Sequence, residues 1–290
     1  MKKLKLLFLV VPFVVAACHS DNEEGRISVN QLGSISFQVI NDEVYEYGEL
    51  TRGSVASLKH LDMAIYDAES NELVDHVHKG YDEEGYGQFS AVLPFGSYNI
   101  VFLGYEGSRQ ANVETPTDIC FSDDYVPHLY YKTLPLTIDR NETNTQSVVL
   151  KRCVAGFELR SKDDKIPQDL YYITISGEGG GHHLNALTGR ASRVEDRSYT
   201  YTAATYAGGD TMVVRFYTFL TAEEATMNFK VSAFDESKEK ELRTRTFENV
   251  PMKISQKSTY TGKFFAPDQS TTGFQIAIED MDWTVKEFFY

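Results

Sequence analysis

The chain has 290 residues, with 28 Lys and Arg against 42 Asp and Glu and a net charge of −14 at pH 7. An acidic surface repels the phosphate backbone, so this composition excludes nucleic acid as the expected partner. The length exceeds the needs of one small sandwich and suits two domains, and 18 Tyr and 18 Phe supply apolar side chains for two cores.

Residues 1–17 predict a lipoprotein signal peptide. A basic start is followed by an apolar run, residues 6–15, that is too short to span a bilayer, and two small residues then precede Cys18. This lipobox predicts that the Cys18 thiol carries a lipid that anchors the mature chain in a membrane. The alternative is an ordinary cleaved signal peptide in which Cys18 is incidental. Removal of residues 1–17 leaves 25 basic and 42 acidic side chains, a net charge of −17.

Residues 18–31 are predicted to form an acidic tether. The residue after Cys18 is His19, so the Asp that retains many lipoproteins in the inner membrane is absent. Residues 20–24, Ser-Asp-Asn-Glu-Glu, resemble the acidic tract that directs some lipoproteins of anaerobic Gram-negatives to the outer face of the outer membrane. We therefore expect a lipid-anchored protein at the cell surface. The same charges also suit a solvated tether, and the two interpretations are compatible.

Residues 32–150 show a period of two, which predicts β-strands joined by successive hairpins. Two of these strands are expected to be half-buried, with Asp62 and Ala64 on the polar side of the second. The turn Pro94-Phe95-Gly96 precedes another strand, and Gly96 can adopt a positive φ there. Residues 106–126 form an acidic insertion without a clear pattern. The alternating apolar positions are Ile35, Phe37, Val39, Leu61, Met63 and Ile65.

Residues 151–290 continue the pattern after a short polar linker. Met227, Phe229 and Val231 alternate with polar residues, and Gly262 inside a strand indicates a bulge or a close backbone approach. No long amphipathic run predicts a helix. The sequence therefore predicts an all-β chain with two β-sandwich domains of transthyretin or immunoglobulin-like type, residues 32–150 and 151–290.

Patterns that could support chemistry are few. His76 and His78 share one face of a strand, but no third metal ligand is evident, so solvent-facing histidines are expected. The glycine-rich run 177–183 lacks the Gly-Lys-Ser/Thr ending of a phosphate loop and is predicted to be a hairpin loop. Asp123 and Asp124 are interpreted as a hydrated turn, with calcium binding as the alternative. No catalytic residue, metal site or cofactor is predicted, and the chain is not expected to be an enzyme.

Two further modifications can be proposed from short patterns. Cys120 and Cys153 could form a disulfide in an oxidising compartment, which would contribute about 3 to 4 kcal/mol. They could also remain free, because Cys153 is expected on a buried strand and Cys120 in a loop. Asp210-Thr211-Met212 matches the short Asp-Ser/Thr-apolar pattern of bacterial O-glycosylation, which makes Thr211 the candidate acceptor.

Several motifs together resemble the fimbrillin superfamily of protease-assembled (type V) pili. Residues 61–67, LDMAIYD, and then 93–102, LPFGSYNIVF, resemble the strand and turn-strand of the N-terminal domain of FimB-like fimbrial anchor and accessory subunits. Residues 249–265 followed by Trp283 resemble the closing segment of fimbrillins. The lipoprotein signal agrees with both resemblances.

The resemblance implies an outer-membrane surface lipoprotein that serves as a structural or anchor subunit of a fimbria. It also implies that neighbouring fimbrial subunits assemble by β-strand addition. In protease-assembled fimbrillins an arginine after the first strand is cut, and Arg52 lies at the corresponding place here. An uncleaved anchor or accessory subunit is favoured over a cleaved shaft or tip pilin. The alternative from another class is a surface glycan-binding lipoprotein.

Overall fold

The computed structural model describes residues 31–41, 58–140, 143–267 and 273–280. In this part of the chain the strands form one seven-stranded sheet, two four-stranded sheets and two small two-stranded sheets. The helical segments there are two short 3-10 turns, Ser122–Asp124 and Ala204–Tyr206. The all-β prediction is therefore confirmed. None of the described helices is long and apolar enough to cross a membrane.

Nine strands lie in the described part of residues 32–152, which we call the N-terminal half. They are β1 (Leu32–Asn41), β2 (His60–Asp67), β3 (Leu73–Gly80), β4 (Gln88–Pro94), β5 (Gly96–Tyr105), β6 (Ala111–Asn112), β7 (Cys120–Phe121), β8 (Leu129–Ile138) and β9 (Thr143–Arg152). Seven of them form the large sheet, in the order β3-β2-β5-β8-β9-β1-β4.

The large sheet folds over on itself to make a sandwich. The start of β8 pairs with the end of β9 through Tyr130↔Arg152 and Tyr131↔Lys151 only. Beyond these two pairs the sheet divides into one part with β3, β2, β5 and β8 and another with β9, β1 and β4. Phe37 of β1 and Phe89 of β4 then face Phe102 of β5, with ring centroids 5.0 and 6.0 Å apart. One apolar core therefore lies between the two parts of the sheet.

The expectation of a half-buried second strand was wrong for β2. Six consecutive residues of β2, from Leu61 to Tyr66, are buried, because a second apolar cluster covers the face opposite the sandwich core. The expected succession of hairpins also fails at β4. β3 pairs with β2, whereas β4 crosses to the far end of the sheet and pairs with β1.

Among the residues described between 153 and 280, the C-terminal half, there are ten strands. They are β10 (Ala155–Lys162), β11 (Tyr172–Glu178), β12 (Leu184–Asn185), β13 (Arg190–Ala191), β14 (Arg197–Thr202), β15 (Thr211–Thr218), β16 (Glu224–Phe234), β17 (Glu241–Lys253), β18 (Gln256–Gly262) and β19 (Gln275–Asp280). The sheets β15-β10-β18-β19 and β14-β11-β16-β17 face each other across a large core. Phe157 of β10 stacks on Phe229 of β16 at 4.3 Å, so the two sheets contact at its centre.

Two glycines occupy sites of close approach. Gly96 does not adopt the expected positive φ. Instead the Tyr98 hydroxyl folds back to donate to the Pro94 carbonyl at 3.0 Å, and a Cβ on Gly96 would lie 3.2 Å from that hydroxyl. At Gly262 a Cβ would lie 2.7 Å from the Phe274 ring, which confirms the close approach predicted for that strand.

The two halves share an apolar cluster, so the acidic insertion is ordered by packing. Its Ile119 and Phe121 are buried together with Leu184 and Phe219 of the C-terminal half. Ile119 and Leu184 also exchange two backbone hydrogen bonds of 2.9 and 2.7 Å. The segment between β9 and β10 is buried as well, with Cys153 only 1 % exposed. The division of the chain into two domains at residue 150 stays a prediction.

Candidate assembly site

β1 is an interior strand held on both sides. It pairs antiparallel with β4, from Leu32↔Pro94 to Gln38↔Gln88, and parallel with β9, from Ser34↔Thr143 to Asn41↔Leu150. The alternation predicted from the sequence fits this place, because a strand inside a sandwich presents every second residue to the core. β1 is also the first strand among the residues that the structure describes, so an interior position of the sheet is occupied by a segment close to the N-terminus.

The side chains of β1 that face inward are held in the sandwich core. Ile35, Phe37 and Val39 are 5, 2 and 2 % exposed, and each contributes roughly 1.5–3 kcal/mol by its burial. Two ladders of backbone hydrogen bonds, to β4 and to β9, add to the stabilisation by this burial. Because β1 lies between β4 and β9 and covers the apolar core, its loss would leave an apolar groove between them. Cys18 and Arg52 lie outside the described residues, so their predicted roles are not placed by the fold.

β19 is the other strand relevant to assembly, because it ends its sheet in the part of the chain that the structure describes. Its partner is β18, in the register Thr261↔Gln275 to Gln256↔Asp280. Ile276 and Ile278 point away from the core and are 58 and 54 % exposed. An edge strand with exposed β-branched residues is a surface on which an extended segment can pair.

His76 and His78 lie over a buried carboxylate and do not simply face solvent. Asp62 of the neighbouring strand β2 is 1 % exposed, and its Oδ1 lies 2.5 Å from His76 Nε2 and 3.2 Å from His78 Nδ1. His60 lies behind His78, with 3.3 Å between His60 Nδ1 and His78 Nε2, and contacts the Gly107 carbonyl at 2.7 Å. The histidines therefore compensate a carboxylate that the fold has removed from water.

The charges in this group support one another. Burial acts to raise the pKa of Asp62, but the hydrogen bonds from His76 and His78 outweigh burial and lower that pKa. The hydrogen bond to Asp62 raises the pKa of His78 above its usual value, against burial, and the charge of Glu83 acts in the same direction. The site is thus an ion pair that links strands β2 and β3.

This ion pair predicts a pH-dependent stability. Because the pKa of His78 is raised on folding, its contribution is complete below the ordinary His pKa of about 6.5 and is lost as pH rises through the folded value. The pH dependence that Asp62 contributes is opposite: because its pKa is lowered on folding, its contribution to stability is lost as pH falls. We expect His78→Gln to cost about 1 kcal/mol or less at pH 5.5 and less still at pH 8, measured by urea unfolding. An equal cost at both pH values would contradict this assignment.

The remaining residues singled out in the sequence are dispersed. Cys120 and Cys153 are free thiols in the structure, and burial raises the pKa of both. The Cys153 Sγ faces the Leu129 carbonyl at 3.6 Å. Thr211 is exposed at the start of β15, where a sugar would be accessible. The disulfide and the O-glycosylation both stay predictions.

Stacked sheets around apolar cores define a β-sandwich protein. Its sequence matches the family model of the fimbrillin-A associated anchor proteins Mfa1 and Mfa2 over residues 37–287, and the chain belongs to that family. The predicted resemblance to fimbrial anchor subunits is therefore confirmed. Family membership makes the chain a fimbrial accessory subunit of the cell surface that associates with other fimbrial subunits.

The chain is similar to solved structures of bacterial proteins. A candidate adhesin from Bacteroides ovatus is 11 % identical, with 83 % of this chain and 91 % of that one covered and a TM-score of 0.51. The fimbrial anchor protein Mfa2 from Porphyromonas gingivalis is also 11 % identical, with coverage of 86 and 98 % and a TM-score of 0.47. No curated protein matches the sequence.

Proposed function

We propose that this chain is an outer-membrane surface lipoprotein that serves as a structural or anchor subunit of a fimbria and joins its neighbours by β-strand addition. The observation that carries the proposal is the family match over residues 37–287, which includes both four-stranded sheets and the second half of β1. The lipobox before Cys18 and the acidic tract after it supply the membrane anchor and the surface address.

In the alternative, a cleaved shaft or tip pilin, strand addition would use the position of β1. A strand that pairs with seven residues of β4 and eight of β9 can be replaced by an extended segment of another subunit with the same alternation. Backbone hydrogen bonds would then give strength along the fibre, and pockets for alternate apolar side chains would give specificity. Cleavage after Arg52 would remove the lipid and β1 together and open this groove.

An anchor has to keep its lipid, so we propose that Arg52 stays uncut and that β1 stays in its groove. The edge of β19 then remains for pairing with an extended segment of a neighbouring subunit. Ile276 and Ile278, both more than half exposed, would be covered in such a contact. In this arrangement the two β-sandwich domains, residues 32–150 and 151–290, stand between the membrane and the next subunit.

The lipid anchor is tested by Cys18→Ala. We expect this substitution to abolish labelling with a radioactive fatty acid and to release the protein from the membrane fraction, because the lipobox depends on one thiol. Cys120→Ala is the matched control, since Cys120 is a free, partly exposed thiol and should not affect labelling. Mass spectrometry of the native N-terminus completes the test, with an acylated Cys18 as the expected result.

Two results would contradict the proposal in different ways. Retained labelling of the Cys18→Ala protein would mean that the chain is not lipidated at the lipobox. A native N-terminus at Gly53 would mean that Arg52 is cut, and the chain would then be a polymerising shaft or tip subunit and not an anchor.

A further inference from the structure

Two histidines and a glutamate converge where the two halves of the chain meet. His182 and His183 follow the glycine-rich run after β11, and Glu195 precedes β14. Each side chain offers one ligand atom, and these three atoms lie within 4.8 Å of one another. The group contains no residue of β1 or β19. The sequence analysis did not predict it, because it assigned both histidines to a hairpin loop.

The backbone holds this group in place. Gly181 exchanges two hydrogen bonds of 3.0 Å with Phe219, and Glu195 donates its amide to the Gly180 carbonyl at 2.8 Å. A Cβ on Gly180 would lie 2.2 Å from Thr218 Oγ1, so the glycine-rich run packs closely on the end of β15. His183 is fixed in turn, because its carbonyl accepts the Ser192 amide at 2.9 Å. The three side chains therefore start from defined backbone positions.

Three buried atoms of the group make no hydrogen bond: His182 Nδ1, His183 Nδ1 and Glu195 Oε2. His182 Nδ1 and Glu195 Oε2 are only 3.3 Å apart, but the contact lacks hydrogen-bond geometry. His182 as a whole is 8 % exposed, so water does not easily take the place of a partner. Two ligands of a tetrahedral zinc ion, each about 2.0–2.1 Å from the metal, lie about 3.3 Å apart.

We propose that His182, His183 and Glu195 bind a divalent transition-metal ion of the zinc type at the junction of the two halves. Two imidazoles and a carboxylate are the donors that such an ion prefers. The ligands come from the C-terminal half, whereas the groups around them come from the acidic insertion of the N-terminal half.

The acidic insertion supplies the outer groups of the site. Asp124 Oδ1 lies 3.1 Å from His182 Nε2, the nitrogen that does not face the ion, and can accept its proton and orient the ring. Asp118 Oδ1 lies 2.8 Å from His183 Nδ1, a contact that also lacks hydrogen-bond geometry, and stands where a fourth ligand could enter. A bound ion therefore connects the insertion to the loop before β12 and ties the two halves together.

A basic side chain, that of Arg193, lies beside the ligands. Arg193 Nη2 faces His183 Nε2 at 2.7 Å. This guanidinium has to turn away when His183 binds through Nδ1, because Nε2 then carries the proton, and the Arg193 side chain is 47 % exposed and has room to do so.

Zinc titration of the mature chain after treatment with a chelator tests the proposal. We expect saturable binding of one Zn²⁺ per chain by calorimetry and a higher Tm in the presence of Zn²⁺, because the ion binds the folded state. His183→Ala and Glu195→Gln should each weaken Zn²⁺ binding at least about tenfold and remove the Tm increase. The Glu195 side chain is 35 % exposed and glutamine keeps its shape, so this variant tests the site even if His183→Ala folds poorly.

The chain offers a matched control in its other paired histidines. The double variant His76→Ala and His78→Ala removes two imidazoles near a carboxylate and should leave Zn²⁺ binding unchanged. The absence of saturable Zn²⁺ binding by the wild-type chain would overturn the proposal. Binding that survives in both His183→Ala and Glu195→Gln, or that depends on His76 and His78, would overturn it as well.

Discussion

Glu158→Ala is expected to destabilise the fold by about 3–5 kcal/mol, measured by urea unfolding. Glu158 is 0 % exposed, and it accepts hydrogen bonds from Arg215 Nε at 2.6 Å and Lys257 Nζ at 3.0 Å. Burial acts to raise its pKa, but Arg215 and Lys257 outweigh burial and lower it. Without the carboxylate, the buried Lys257 ammonium keeps its desolvation cost and loses its partner.

The matched control for this prediction is Glu224→Ala. Glu224 also forms an ion pair, with 2.9 Å between its Oε1 and Lys253 Nζ, but the two side chains are 66 and 42 % exposed. Water solvates both charges after the substitution, so we expect a cost below about 1 kcal/mol. Equal costs for the two variants would show that the pair at Glu158 is not buried in solution.

The sequence predicted the strands well because their pattern is local. The alternation of Ile35, Phe37 and Val39 requires only that one face of β1 is buried, and the structure buries it. In the same way Tyr98, Ile100 and Phe102 alternate along β5 and are buried. Strand identity could therefore be predicted without knowledge of the pairing partners.

Positions that depend on distant segments could not be predicted. Glu158 lies between Phe157 and Leu159, a pattern typical of a strand with one solvent-facing side. The Glu158 side chain is nevertheless fully buried. His128 of the N-terminal half stacks on Tyr217 of β15 at 5.4 Å. Burial lowers the pKa of His128, and the charges of Arg215 and Lys257, the partners of Glu158, act in the same direction. Nothing in the local pattern indicates which remote segment packs there.

The same limit applies to the ionisable clusters. His76 and His78 were placed correctly on one strand face, but their partner Asp62 precedes them by a whole hairpin and could not be identified from spacing. His182 and Glu195 meet through a loop that packs on β15, and Asp124 reaches His182 from the other half of the chain. The family resemblance could be predicted, because its motifs are short strands and turns of the type that sequence specifies locally.

Removal of residues 1–52 is expected to have the largest effect on the fold. The shortened chain starts at Gly53 and lacks β1. It therefore loses the burial of Ile35, Phe37 and Val39 and the backbone hydrogen bonds of β1 to β4 and β9. Three such side chains contribute together roughly 5–9 kcal/mol, which is comparable to the whole stability of a typical domain. We expect the shortened chain to lose its N-terminal sandwich core, measured as a lower Tm and as fast hydrogen exchange in β4 and β9.

A peptide of residues 31–41, added in trans, should restore the Tm and the exchange protection of the shortened chain, because it supplies the same alternation to the same groove. The matched control is the peptide with Phe37→Asp, which keeps the backbone ladders but places a charge against the Phe102 ring, 5.0 Å from the Phe37 ring in the intact fold. Unaltered stability of the shortened chain, or equal rescue by both peptides, would contradict the idea that the groove under β1 selects an apolar strand. Rescue by the native peptide alone would mean that this fold can accept a strand from a neighbour once Arg52 is cut.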